Sequence, residues 1–409
     1  MKILHVIAQL PSKTGSGVYF SSAIEALKKF GHEQAAVFAS QDNNCFDILD
    51  GAAQYPVLFK SKRIPFPIAG MSDVMPYEST VYSSMDDEMM AVWQGAFMEA
   101  LKRAQAEFRP DVLILHHLWI LTSIATGLFD SQIKIGICHN TDIRQAEQNP
   151  DMKNRYVTNL KNLDAIFALS DSNKHTIIEV FGIKGAKIVT MGGGFNQNLF
   201  FPIAAKNKKA VTKIVFSGKI EKSKGIFELV KAFNIIAETK PNLHLDIIGD
   251  PQGNNARLLS SLVGDACNIS IVPPMSQQDL APFLRERDIY AMPSYYEGIA
   301  LMAIECLASG LRVVASEIEA LMSLLGPDVN NSGVIEYVKL PRIYDTDKPY
   351  DEDLPQFIKD LTGKLLIQIE RVENCEPYPG GALSEINKHS WNGLAEKINR
   401  EILSLTGLY

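Results

Sequence analysis

Short apolar runs rich in Ile, Val, Leu and Ala alternate along this chain with longer stretches whose apolar side chains recur at helical spacing. Runs of the first kind suit strands buried on both faces, and stretches of the second kind suit amphipathic helices. Together they are the pattern of parallel sheets with crossover helices. In the first half the pattern predicts strands over Ile3–Ala8, Gln34–Ala39, Val112–Leu115, Lys134–Cys138, Ala165–Leu169 and Lys187–Thr190. It predicts helices over Tyr19–Phe30, Glu88–Phe108 and Lys174–Phe181. Residues 192–209 turn Gly-rich, then Asn/Pro-rich, then Lys-rich, and read as a linker. Behind it the alternation restarts, with strands over Lys213–Ser217, His244–Ile248, Ile269–Val272, Ile289–Met292 and Arg312–Ala315. Helices over Ile226–Glu238, Asn255–Val263, Gln277–Arg287 and Leu301–Ser309 lie between them, and a last helical period covers Trp391–Leu405. Two α/β domains in tandem follow from this. Residues 43–87 and 326–380 carry no clean period and read as irregular loops.

Composition narrows the class. A length of 409 residues accommodates two or three domains, and 46% hydrophobic with 21% charged residues is the balance of a globular protein. A net charge of −7 excludes broad nucleic-acid binding, which needs a basic field. The five cysteines are scattered without CxxC spacing, so they read as reduced core thiols of a cytoplasmic protein. The apolar N-terminus contains His5 and runs into a Gly-rich turn, so it reads as a first strand rather than a leader. No run approaches the roughly 18 apolar residues of a membrane span, which leaves peripheral contact with a membrane surface open.

Four segments carry candidate chemistry. Pro293 to Gly310 reads as a strand end, a Gly turn and a helix, with Glu297 in the turn and Glu305 in the helix. The N–H groups of Gly298, Ile299 and Ala300 would then lie at a helix N-terminus, where anionic oxygens are welcome. Two carboxylates beside such a place suit a hydroxyl-rich ligand, although spacing alone leaves an ordinary strand–turn–helix equally open. Gly218-Lys-Ile-Glu-Lys-Ser-Lys-Gly places Lys219 and Lys224 after a strand, where they could neutralise a diphosphate, or simply be solvated. Gly15 and Gly17 follow the first strand and would let backbone approach a phosphate. Phe20 stands where a dinucleotide fingerprint needs its third Gly, so a hydride-transfer enzyme fits badly. Finally, His139 and Asp142 follow one strand and His116-His117 another, without the spacing of a metal site.

In order and spacing these segments resemble the GT4-type retaining glycosyltransferases of the GT-B fold, over about residues 1–320 and the chain end. Glu297 to Glu305 is similar to that family's E-x7-E motif, residues 218–225 to its G-R-x-x-x-x-K-G loop, and residues 138–144 to its H-G-T-D-I strand end. The resemblance implies two Rossmann-like domains facing a central cleft. The first, residues 1–197, would hold the acceptor, and the second, residues 198–388, the nucleotide sugar. A C-terminal helix, residues 389–409, would cross back to the first. It implies Glu297 and His139 at the donor sugar, Glu305 at the ribose, and Lys219 and Lys224 at the diphosphate with backbone N–H groups of Gly17, Ile299 and Ala300. Met275 would read the base. No metal or cofactor is implied beyond the substrate, a nucleoside-diphosphate sugar. UDP-linked glucose or N-acetylglucosamine is favoured, and the acceptor is a glycan, a lipid-linked sugar or a small metabolite. Lys219 stands where the family usually has Arg and Asn140 where it has Gly, and residues 317–380 lack its G-G-x-x-E segment. A sugar-nucleotide epimerase and a non-catalytic nucleotide-binding subunit remain the alternatives.

Overall fold

The alternation read from the sequence builds two α/β units in the computed structural model, which describes residues 1–11, 14–41, 53–203, 210–297, 300–345 and 347–407. One unit comprises Met1–Gly193 with Trp391–Tyr409, and the other Gly194–Ser390.

The first unit carries strands β1 (Lys2–Ile7), β2 (Glu33–Ser40), β3 (Gln54–Leu58), the short pair β4 (Ala69–Gly70) and β5 (Thr80–Val81), then β6 (Val112–His116), β7 (Ile133–Ile137), β8 (Ala165–Ala168) and β9 (Ile188–Thr190). Its helices are α1 (Gly15–Leu27), α2 (Asp87–Glu107), α3 (Ile120–Leu128), α4 (Thr141–Gln148), α5 (Pro150–Tyr156) and α6 (Asp171–Phe181). The main sheet is parallel in the order β3-β2-β1-β6-β7-β8-β9, with Ile3 opposite both Gln34 and Val112. The chain winds outward from β1 in both directions, which makes the β1/β6 boundary a topological switch point. Helix α2 shows how pattern becomes packing. Asp86 caps its N-terminus by accepting from Met89 N at 2.8 Å, and Met90, Trp93, Phe97, Leu101 and Ala104 form its buried stripe.

The second unit repeats the plan with β10 (Thr212–Ser217), β11 (Leu243–Ile248), β12 (Ile269–Val272), β13 (Ile289–Met292), β14 (Arg312–Ser316) and β15 (Ile335–Val338). These pair in parallel in the order β12-β11-β10-β13-β14-β15, with the switch point between β10 and β13. A hairpin of β16 (Ile343–Tyr344) and β17 (Lys348–Pro349) follows. The helices are α7 (Ile226–Ala237), α8 (Gly253–Val263), α9 (Gln277–Arg285), α10 (Leu301–Ala308), α11 (Glu319–Asn330), α12 (Leu354–Glu373) and α13 (Gly380–Asn387). The last helix, α14 (Trp391–Thr406), belongs to the first unit. It packs on α1 through Leu394, Ala395, Ile398 and Ile402, with Lys29 paired to Glu396 at 2.9 Å and Trp391 edge-on to Tyr19 at 5.3 Å. The helix thus returns to the first domain, as the resemblance implied.

Three expectations need correction. Residues 326–380 are not irregular: α12 fills twenty of them and buries Phe357, Leu361, Leu365, Gln368 and Ile369 against the second sheet and α7. Pro355 begins that helix rather than breaking it, because a first-turn proline loses no helical hydrogen bond. Nor are residues 53–87 a bare loop. Tyr55, Val57, Phe59, Ile64, Ile68, Met71 and Tyr82 are all buried, and residues 42–52 lie outside the described residues. The linker is partly core, since Phe195 and Phe200 are buried and Phe195 N donates to His389 O at 3.1 Å. Among the cysteines, Cys138 and Cys306 are buried as expected, whereas Cys267 and Cys375 are exposed. No described helix is long and apolar enough to cross a membrane.

Candidate functional site

The switch point of the second sheet explains why two segments 73 residues apart in sequence meet. Adjacent strands β10 and β13 both release their chains at the same edge, the first into Gly218–Gly225 and the second into Pro293–Ala300. Lys224 Nζ donates to Glu297 Oε1 at 2.9 Å, both side chains about one-fifth exposed, and Tyr295 N donates to Ser223 O at 2.9 Å. Gly225 seals the contact. Its φ is +61°, and a Cβ there would come within 2.1 Å of Pro293 O, so no other residue fits. Gly249 does the same for the neighbouring loop, where a Cβ would stand 2.6 Å from Gly218 O.

A cavity of about 530 Å³ lies on the same sheet edge, at the carboxyl ends of β10, β11 and β12, and its lining includes neither Lys224 nor Glu297. Lys219, Asp250 and Met275 line it. Lys219 is exposed and Met275 half-buried, so a cation and an apolar side chain face one hollow. Glu305 sits inside α10 and is 7% exposed, with its Oε1 accepting from Gln277 Nε2 at 3.2 Å. Burial raises this carboxyl to about 7, because no cation offsets the lost hydration. Ala300, buried, directly precedes α10, while Gly298 and Ile299 lie outside the described residues.

The first unit gathers its polar groups at its own switch point. Thr14 Oγ1 caps α1 by accepting from Gly17 N at 3.0 Å, so that N–H, expected to face phosphate, already has a partner. His139, after β7, lies with its Nε2 3.1 Å from His116 Nδ1 at the end of β6, the two rings stacked. Burial lowers the pKa of both imidazoles well below the usual value, and the neighbouring histidines lower them further. Asp142 anchors the group from a fully buried position. It accepts from Leu118 N at 2.7 Å, His139 N at 3.1 Å and Ile143 N at 3.2 Å, so it holds both strand-end loops together. Asn140, the departure from the family's Gly, has φ +68° and ψ −34°, outside the left-handed helical basin that Asn favours, so the strand end is strained there.

Sequence reasoning missed Tyr19, whose ring meets His139 edge-on at 5.2 Å, and Gln277, the partner of Glu305. A tyrosine two residues beyond Gly17 and a glutamine opening a helix gave no motif signal. Among the described residues, no three His, Cys, Asp or Glu side chains group as a metal site.

Comparison with known proteins agrees with this geometry. Residues 197–339 match the family described as "Glycosyl transferases group 1". The chain is 27% identical over 248 residues to the D-inositol 3-phosphate glycosyltransferase of Pseudarthrobacter chlorophenolicus, which covers 55% of this chain and 58% of that protein. The chain spans less than two thirds of the length of the curated relatives first matched. Among solved structures, sucrose-phosphate synthase from Thermosynechococcus elongatus superposes with a TM-score of 0.65 at 18% identity, covering 100% of both chains. The pneumococcal O-GlcNAc transferase GtfA, solved with UDP and GlcNAc, gives 0.63 at 13% identity, covering 99% of each. The fold is the GT-B fold, and the resemblance to glycosyltransferases read from the motifs holds.

Proposed function

We propose that this chain is a retaining glycosyltransferase that moves a sugar from a nucleoside-diphosphate sugar to a hydroxyl acceptor. The observation that carries the reading is the Lys224–Glu297 contact together with the Lys219-lined cavity on the same edge of the second sheet. It sets a cation for the diphosphate against a carboxylate for sugar hydroxyls, both at a switch point. In the reaction, the acceptor oxygen bonds the anomeric carbon on the face from which the diphosphate leaves. The electron pair of the broken C–O bond departs with the diphosphate, where Lys219 and Lys224 neutralise it. A donor phosphate oxygen takes the acceptor proton. Glu305 holds the ribose, Met275 lies against the base, and His139, uncharged at neutral pH, contacts the sugar.

Electrostatic stabilisation by lysines and helix N-termini does the work here, and the reading requires no metal. UDP-linked glucose or N-acetylglucosamine is the preferred donor, and the solved neighbour with UDP and GlcNAc supports that choice. The acceptor is a glycan, a lipid-linked sugar or a small metabolite, met in the cytoplasm with or without contact to a membrane surface.

The test is product stereochemistry with Glu297→Gln alongside. The reading expects retained anomeric configuration and a fall of about 10- to 100-fold in kcat/KM for the variant, the worth of a hydrogen bond to a charged group. An inverted product overturns the mechanism, and near-normal turnover of Glu297→Gln overturns the sugar contact. Donor incubated without acceptor separates the epimerase alternative, which would convert it to a new sugar nucleotide.

A further inference from the structure

A second cavity, of about 460 Å³, lies in the same unit and shares no lining residue with the first. One wall comes from the matched family segment, through Lys222, Phe227, Glu228 and Tyr295. The other comes from residues beyond that segment, the β16–β17 hairpin with Tyr344 and the following Asp351. This wall is therefore particular to the chain rather than to the family model, which stops at residue 339.

Two buried groups in the cavity lack good partners. Glu228 is 6% exposed, and the cation facing it, Lys231, stands 3.8 Å away, beyond hydrogen-bond range. Tyr295 is 3% exposed, and its hydroxyl meets the Glu228 carboxylate without reaching full hydrogen-bond geometry. Burial raises its pKa, and Glu228 and Asp351 raise it further, so both carboxylates stand near the phenol. A pair met this loosely keeps hydrogen-bonding capacity that a ligand in the cavity would use. Tyr344 of the hairpin lines the cavity, and Tyr350 just after β17 packs against it, both exposed, with ring centroids 5.0 Å apart. Arg342 stacks over Tyr350 and pairs with Glu352 and Asp353, which stiffens the platform.

We propose that this cavity is a saccharide-binding site separate from the donor cavity. Sugar hydroxyls both donate and accept, which matches carboxylates of Glu228 and Asp351 together with the Tyr295 hydroxyl and the Lys222 ammonium. The exposed ring of Tyr344 suits the C–H face of a pyranose ring, with Phe227 buried in the wall behind. Three lysines balance three carboxylates around the lining, so the cavity has no net charge with which to recruit an ion. That balance favours a neutral hydroxylated ligand over a phosphate or a nucleotide.

The test uses the full chain, fluorescently labelled, on an array of mono- and oligosaccharides with saturating UDP to occupy the donor cavity. The site predicts at least one saccharide whose binding weakens about tenfold or more in Tyr344→Ala and in Glu228→Gln, and is unchanged in Lys219→Ala. Tyr344 is exposed on a hairpin, so its variant keeps the fold even if the buried Glu228→Gln does not. An array without any Tyr344-sensitive saccharide overturns the proposal. Saccharides lost only in Lys219→Ala would also overturn it, because they would belong to the donor cavity. The readout needs no sugar transfer, so its failure leaves the transferase reading standing.

Discussion

Replacing Glu305 by Gln removes a charge from a buried position while keeping its shape and its amide neighbour Gln277. The Glu305 carboxyl titrates near 7 in the folded protein against 4.5 as a free group, and burial is the cause. Between those values the folded protein binds more protons than the unfolded chain, so stability falls as pH rises through the window. Below about 4.5 both states are protonated and the penalty vanishes, while above about 7 it is fully present. At about 1.4 kcal/mol per pK unit the gap corresponds to roughly 3 kcal/mol. Glu305→Gln should therefore come within about 1 kcal/mol of wild type near pH 5 and exceed it by about 3 kcal/mol at pH 8. For a unit of this size that is a rise of roughly 6–12 °C in Tm. Paired urea and thermal melts at the two pH values measure it. A variant no more stable than wild type at pH 8, or an advantage equal at both pH values, would refute the argument from burial. A carboxylate kept at such a cost belongs where a ligand repays it, which fits the assignment to ribose.

Two further outcomes follow from packing. Gly225→Ala must displace Pro293 by a large fraction of an ångström, so nucleotide affinity measured by calorimetry should fall about tenfold or more with the fold retained by circular dichroism; unchanged affinity would mean that the Lys224–Glu297 contact does not matter. Ile398→Ala opens a cavity under α14 and should destabilise the first unit by about 2–5 kcal/mol in denaturant titration, whereas a loss below about 1 kcal/mol would show that the returning helix contributes little.

The sheets were legible because their strands are buried on both faces and therefore announce themselves as apolar runs: Ile269–Val272 and Ile289–Met292 form at the predicted bounds. Helix α12 was hidden by Pro355, although Phe357, Leu361 and Leu365 already kept its period. At the site, sequence placed Lys219, Lys224, Glu297, Glu305 and Met275 in loops and helix starts on one edge, and parallel topology does bring those segments to one edge of the second sheet. What it could not supply was pairwise commitment. That Gly17 N is already bonded to Thr14, that Glu305 meets Gln277, and that Asp142 ties two loops together are consequences of tertiary geometry with no local signature. The histidines show the same limit, since His116 and His139 touch only because β6 and β7 pair in register.

The most direct test of the donor site is a thermal-shift series with UDP, GDP, ADP and NAD, all at one common concentration. A ligand for which that concentration is about 100 times the dissociation constant adds about 2.7 kcal/mol. The account predicts that one nucleoside diphosphate stabilises the chain selectively, UDP first among them, and that the shift is lost in Lys219→Ala and Lys224→Ala. Stabilisation by NAD alone, or by none of the four, would contradict it.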